Sequence, residues 1–297
     1  MSARLIINAD DFGLTSGINR AVEDLHRAGV LSSATLMANG PAFEDAVALA
    51  RRNPSLGIGC HIVLVDGVPL SPPDRIPSLL GPDRRRLRPS LLNFAAAATT
   101  GKLREQELRT EALAQIRRIQ AAGLHVTHLD THKHTHTFPS VAASLVQVAR
   151  EASVPLFRNP FEPQWSLALG AGSLLRRLQI QALALLGRRF HATLRAGSIA
   201  TTGGTMGIAA TGHLDKRVLT HLLHHLPPGT WELVCHPGYN DADLDRVPTR
   251  LRTHRDIERL ALLDVVPKTL SEPDPPLLIH YGEISLNRAP GPRSSPV

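Results

Sequence analysis

Two adjacent carboxylates, Asp10 and Asp11, follow the apolar run Leu5-Ile6-Ile7. Buried side by side, ionised carboxylates repel each other and lose hydration. A cation relieves both costs: one carboxylate binds a metal while the other stays free as a general base. An N-cap role suits Asp, but it accounts for one of the pair and not for both. Further on, the stretch from Thr127 to His136 holds His128, Asp130, His132, His134 and His136. Neutral imidazole is a common ligand for zinc and other transition metals. If the chain stays extended, His132, His134 and His136 share a face. Asp130 could orient a liganding ring from behind. A solvated His-rich loop is the competing reading, and spacing alone does not choose among the rings. His61 lies in the apolar run Gly57 to Leu64, where a lone histidine is more often a core residue. His236 stands before Pro237-Gly238, and Arg158-Asn159 follow Val154 to Phe157.

These residues need a scaffold that gathers them. Short β-rich runs alternate with helical stretches: strands are expected at Leu5–Ala9, Ser33–Ala38, Gly57–Leu64, His125–Leu129, Val154–Phe157, Ser198–Thr202, Trp231–Cys235 and Leu277–His280. Helices are expected at about Ser16–Ala28, Ala42–Arg52, 103–122, Ser140–Ala152, 165–195 and Leu214–Leu226. Repeated β–helix units imply a parallel sheet with helical cover. The expectation is an α/β fold, a deformed or incomplete parallel (β/α) TIM-like barrel. Asp10, Asp11, His61, Asp130, His132, Arg158 and His236 then lie in or just after strands, and such barrels build active sites at the C-terminal ends of strands. Residues 66–100, rich in Pro and Arg, read as an insertion over one face. One domain is expected over 1–288, with a disordered Pro/Ser/Gly tail at 289–297.

The chain has 297 residues, 42% of them apolar, and lacks an apolar run long enough for a membrane span. Its first residues lack the apolar region and cleavage site of a signal peptide, so a cytoplasmic location is expected. Cys60 and Cys235 each precede a histidine. On strands, each thiol points away from that neighbour and reads as a small buried residue. The net charge is +7, yet aromatics are only 4%, which argues against a nucleic-acid binder. Arg84, Arg85, Arg86 and Arg88 read as a surface loop. Between Glu162 and Asp215 there is no acidic residue, but Arg176, Arg177, Arg188, Arg189 and Arg195 flank the apolar run Ala182 to Leu186. A basic, apolar helix of this kind suits an anionic membrane surface, and equally an ordinary barrel helix with a solvated edge.

Four motifs carry a family resemblance: Ala9-Asp10-Asp11-Phe12-Gly13, Gly59-Cys60-His61-Ile62-Val63-Leu64, Thr127 to His134, and Glu232-Leu233-Val234-Cys235-His236-Pro237-Gly238-Tyr239. In this order, over about residues 4–283, the chain resembles the ChbG/YdjC family of carbohydrate deacetylases. Its basic 165–195 segment is similar to the hopanoid-biosynthesis-associated HpnK-like branch. The resemblance implies a deformed β/α barrel with one divalent metal ion, Mg or Zn. By motif position it implies metal ligands Asp11, His61 and His132, a general base Asp10 and a general acid His236. Asp130, His134 and Arg158 become substrate or supporting contacts. The implied reaction removes an N-acetyl group from an amino-sugar, which the HpnK-like features make a lipid-linked one, an N-acetylglucosaminyl hopanoid. A chitooligosaccharide is the soluble alternative. Another metal-dependent hydrolase, or a non-catalytic sugar- or lipid-binding protein, are the competing classes.

Overall fold

The structure, a computed structural model, describes residues 3–169 and 174–284, with the backbone alone at 174–176. The tail expected to be disordered, 289–297, lies outside the described residues. The chain begins with β1 (Ala3–Phe12), α1 (Ser16–Arg27), β2 (Ser33–Leu36), α2 (Phe43–Arg52) and β3 (Gly57–Ile62). Then come α3 (Leu91–Thr99), α4 (Glu105–Ala121), β4 (Leu129–Thr131) and α5 (Pro139–Glu151). α6 (Gln164–Ala168), α7 (Leu174–Ala184), α8 (Gly187–Ala196), β5 (Thr205–Met206) and α9 (Lys216–His224) follow. The last elements are β6 (Gly229–Cys235), α10 (Ala242–Asp245), α11 (Thr253–Leu270) and β7 (Leu277–Leu278). No described helix is long and apolar enough to cross a membrane.

Six strands lie in the order β4-β3-β2-β1-β6-β5, and β7 pairs with the first residues of β1; every pairing is parallel. The sheet curls into a half-barrel wrapped by helices, as the alternating pattern predicts. Beyond β4 the ladder gives way to single bridges, Leu129 to Phe157 and Leu156 to Ala200. The expected strands Val154–Phe157 and Ser198–Thr202 are therefore reduced to bridges. Backbone bonds still tie them together, Phe157 N–H to the Ala200 carbonyl and Ala200 N–H to the Pro155 carbonyl, and side chains extend the contact: Asn159 Nδ2 donates to the Thr202 carbonyl and Thr205 Oγ1 to the Asn159 carbonyl. The expected strand His125–Leu129 starts later, at Leu129, so Asp130 lies within β4.

Side-chain alternation sorts the sheet into two faces. Leu5, Ile7, Ala9, Ala34, Leu36, Ile58, Cys60, Ile62, Leu233 and Cys235 join the main core under the helices. Both cysteines are buried and free, as expected, and burial pushes their thiols up. The opposite face is polar: Asn8, Asp10, Thr35, His61, Asp130 and Glu232 are buried there. Glycines make room on it. A Cβ at Gly59 would collide with the buried His128 ring, which stacks on Tyr281 at 3.7 Å between centroids.

Residues 66–100 are more than a cover. Ile76, Leu79, Leu80, Leu87 and Phe94 enter the main core. Glu111 of α4 accepts the Leu70 and Ser71 backbone N–H groups, and Glu107 accepts that of Ser78. Sequence reading also leaves out α11, which packs on α9 and α1.

Candidate metal-centred active site

Strict alternation would send Asp10 and Asp11 to opposite faces of β1. They reach one site because Asp11 adopts φ 63°, and the β1–β2 register shifts between Ala9 and Phe12. A non-glycine residue at positive φ is uncommon, and Asp tolerates it better than most. Both carboxylates are buried.

Asp11 Oδ1 lies 3.6 Å from His61 Nε2 and 3.5 Å from His132 Nδ1. Those gaps are too long for good hydrogen bonds. They fit three donors arranged around a common ion, since ligands about 2.0–2.1 Å from a tetrahedral metal stand roughly 3.3 Å apart. The three ligand atoms lie within 4.8 Å of one another. His61 Nδ1 is 2.8 Å from Asp130 Oδ1, so its Nε2 is the nitrogen facing the ion position. Asp11 Oδ2 accepts a 2.5 Å bond from Arg255, leaving Oδ1 for the ion. His132 is the most accessible of the three, with its side chain 21% exposed.

The charge balance agrees with a cation. Asp10, Asp11, Asp130, Glu232 and Glu258 are all buried, against two buried guanidinium groups, Arg158 and Arg255. Uncompensated buried charge is costly, and the groups respond by shifting their pKa. Burial opposes a charged ring at His61, yet Asp130 and Asp10 outweigh it and push the imidazole up to about 9. Burial pushes the Glu258 carboxyl up to about 7. A bound cation would do the work of these protons.

Asp10 is not the free carboxylate expected from the sequence. Arg158 clamps it with two bonds, of 2.9 and 2.7 Å. The same guanidinium reaches Glu232 at 2.6 Å and also pairs with Asp130. Burial alone would raise the Asp10 carboxyl, but Arg158 overrides it and holds the group well below the usual carboxylate range. The second acid–histidine cluster, Asp10 with His61 and Asp130, already has a cation within it, the Arg158 guanidinium. Arg158 itself is fully buried, which places it beneath the site as a support and away from a substrate in the opening.

His236 Nε2 lies 3.9 Å from Asp10 Oδ2, and burial pulls its ring down to about 4. Glu258 accepts the His236 backbone N–H at 2.6 Å, with its Oε2 3.9 Å from Nδ1. The His-rich run does not stay extended after β4. It enters a 3-10 turn, with Lys133 at φ 56° and His134 at φ 51°, which breaks the shared face expected for His132, His134 and His136. Only His132 joins the acid cluster. His134 is half-buried, and burial pulls its ring down to about 3. His136 is buried against Phe157 and Phe190, with Nδ1 2.6 Å from Thr131 Oγ1. His128 belongs to the core.

Arg255 and Glu258 escape sequence reading because α11 does. The signal was there: Arg255, Glu258, Leu262, Val265 and Thr269 make one buried helical stripe. Two opposite charges continuing an apolar stripe point to a polar site at its end.

A curled parallel sheet thus gathers an Asp–His–His cluster at its C-terminal edge beside a clamped second Asp, the place where β/α barrels build their sites. The chain belongs to the YdjC-like protein family, whose model matches residues 4–271. Two relatives named carbohydrate deacetylase align along most of both chains. The Thermoanaerobacter pseudethanolicus protein is 28% identical, over 88% of this chain and 90% of its own. The Halalkalibacterium halodurans protein is 28% identical, over 89% and 98%. A carbohydrate deacetylase from Brevibacillus brevis is 40% identical, but the match spans 52% of this chain and 58% of that protein. In structure, the chain is similar to an Enterococcus faecalis protein provisionally described as a cellobiose-phosphate cleavage protein. The TM-score is 0.74 at 24% identity, covering 95% of this chain and 98% of that one, and it supports the fold.

Proposed function

We propose that the protein is a metal-dependent carbohydrate N-deacetylase that releases acetate from an N-acetylated amino-sugar. The observation that carries this reading is the convergence of Asp11, His61 and His132 beside Asp10 and His236. The full-length relatives named carbohydrate deacetylase supply the reaction class. Asp11, His61 and His132 hold one divalent ion; zinc suits the two imidazoles, while magnesium would rely more on Asp11 and water.

When bound, the ion supplies a polarised acetamide carbonyl and a water of lowered pKa. Asp10 takes a proton from the attacking water at Oδ2, the oxygen nearest His236. Its clamp by Arg158 keeps it ionised and aimed, at the cost of basicity. His236 is neutral at rest, so the proton it gives must be gained during turnover; Asp10 Oδ2 is the nearest carboxylate source. Donation from Nε2 lets the amide nitrogen leave as an amine. Water adds to the carbonyl carbon, the C–N bond breaks, and acetate and the free amino-sugar result.

The finer assignment is a lipid-linked substrate, an N-acetylglucosaminyl hopanoid, handled by a cytoplasmic protein at the inner membrane face. It rests on the HpnK-like features and on the leucines exposed along α7. Acetate release from that lipid and from a chitooligosaccharide, by the metal-loaded protein and its Asp10→Asn variant, tests both levels. Release from the lipid that the variant abolishes supports the whole reading. Release from the soluble sugar alone removes the lipid. No release from either, with metal bound, leaves a different hydrolase or a binding protein.

A further inference from the structure

The consecutive helices α7 and α8 have two unlike sides. Their inner side packs on the body of the fold. Ile180 packs with Leu167, Ile208, Ala209 and Val234, two residues before His236. Phe190 lies against Phe157 and His136. Their outer side is apolar and unpartnered: Leu178 is 54% exposed, Leu183 41% and Leu185 82%. Leu178, Ala182 and Leu185 recur at helical spacing on one stripe, all exposed. Leu185 stands in the turn between the helices, held by a bond from the Leu186 N–H to the Leu183 carbonyl.

The segment that forms this face carries charge of one sign. No acidic residue occurs from 163 to 214. Arg188, Arg189 and Arg195 are exposed and take part in no ion pair among the described residues. Some exposed arginines elsewhere pair with acids, as Arg20 does with Asp241 and Arg252 with Asp245, while others such as Arg75 and Arg150 do not; what sets Arg188 and Arg189 apart is their place beside exposed leucines. A protruding leucine flanked by unpaired arginines suits a surface with an apolar interior and an anionic skin.

We propose that the α7–α8 segment docks the protein on an anionic lipid bilayer, with Leu178 and Leu185 entering the acyl boundary and Arg188 and Arg189 meeting lipid phosphates. This deepens the deacetylase reading by assigning its partner surface. It does not need the reaction to be correct.

The test is flotation of the full chain with phosphatidylglycerol-containing and with pure phosphatidylcholine vesicles. Binding to the anionic vesicles alone is expected, weakened by salt. Each of Arg188→Gln and Arg189→Gln should lower it about fivefold. Leu185→Gln should lower it about tenfold or more. An unchanged melting temperature in each variant separates loss of docking from loss of fold. Acetate release from a detergent-dispersed N-acetylglucosaminyl hopanoid and from a soluble chitooligosaccharide, measured alongside, should be unaffected by these substitutions on whichever of the two is cleaved. No release from either would sink the deacetylase reading and leave the vesicle result intact. Absence of vesicle binding, or binding that the variants leave unchanged, overturns the docking proposal. So does a dimer that Leu185→Gln converts to monomer without any vesicle binding, which would assign the face to a second copy of the chain.

Discussion

On the proposed reading, His61 is the residue on which protonation and metal binding would compete. With no ion, Asp130 and Asp10 hold its ring charged up to about pH 9, against a reference of 6.5. The ring must be neutral at Nε2 to bind metal. Zinc binding between pH 7 and 8 should therefore release close to one proton, read by calorimetry in buffers of differing ionisation heat. Zero release would mean His61 is already neutral and the acids around it are compensated elsewhere. The sign for stability follows: the charged ring stabilises the metal-free fold below pH 6.5, and that contribution fades as pH rises through 9. Arg158 poses the opposite case, a cation that nothing can replace. Arg158→Met leaves Asp10, Asp130 and Glu232 buried without their counter-charge, and should cost about 3–5 kcal/mol in urea unfolding. Arg158→Lys keeps the charge but loses the two-pronged grip, so it should fold and lose kcat.

At the level of elements, α11 supports the site from behind. Arg255→Met should lower metal affinity about 10–100-fold, because Asp11 loses the partner that fixes Oδ2. Equal affinity in wild type and variant would reduce Arg255 to packing. β3 makes a separate claim: Gly59→Ala should destabilise by about 1–3 kcal/mol, since the new methyl meets the His128 ring inside the barrel. These cases show which parts were legible. Asp10 and Asp11 were readable as a pair because two acids after an apolar strand have few bland explanations. The parallel barrel was readable from the β–helix rhythm. Which histidines gather was not, because that depends on positive φ at Lys133 and His134, an αL turn that Lys and His do not advertise. Val154–Phe157 reads as a strand from its apolar residues, but Pro155, which has no N–H to give a ladder, was the signal that only single bridges form there. α11 was hidden because charge occupies the first turn of its buried stripe, where an apolar periodicity scan expects Leu or Val.

For the molecule as a whole, the excess of buried acid would make a bound cation part of the fold's energetics. Ligand linkage predicts that free metal at about 100 times its Kd adds roughly 2.7 kcal/mol of stability. Stripping the ion with a chelator should lower the melting temperature, and zinc should restore it; an unchanged melting curve would count against an ion at Asp11, His61 and His132. The contact between Arg255 and Asp11 joins residues 244 positions apart. A ribosome therefore makes this carboxylate 244 residues before the guanidinium that braces it. During synthesis, Asp11 waits for β2 to β6 and the helices between them before that neighbour emerges. Tight metal capture would then time-stamp the end of assembly, turning a metal-sensitive dye added to a translation reaction into a clock for when the barrel is finished.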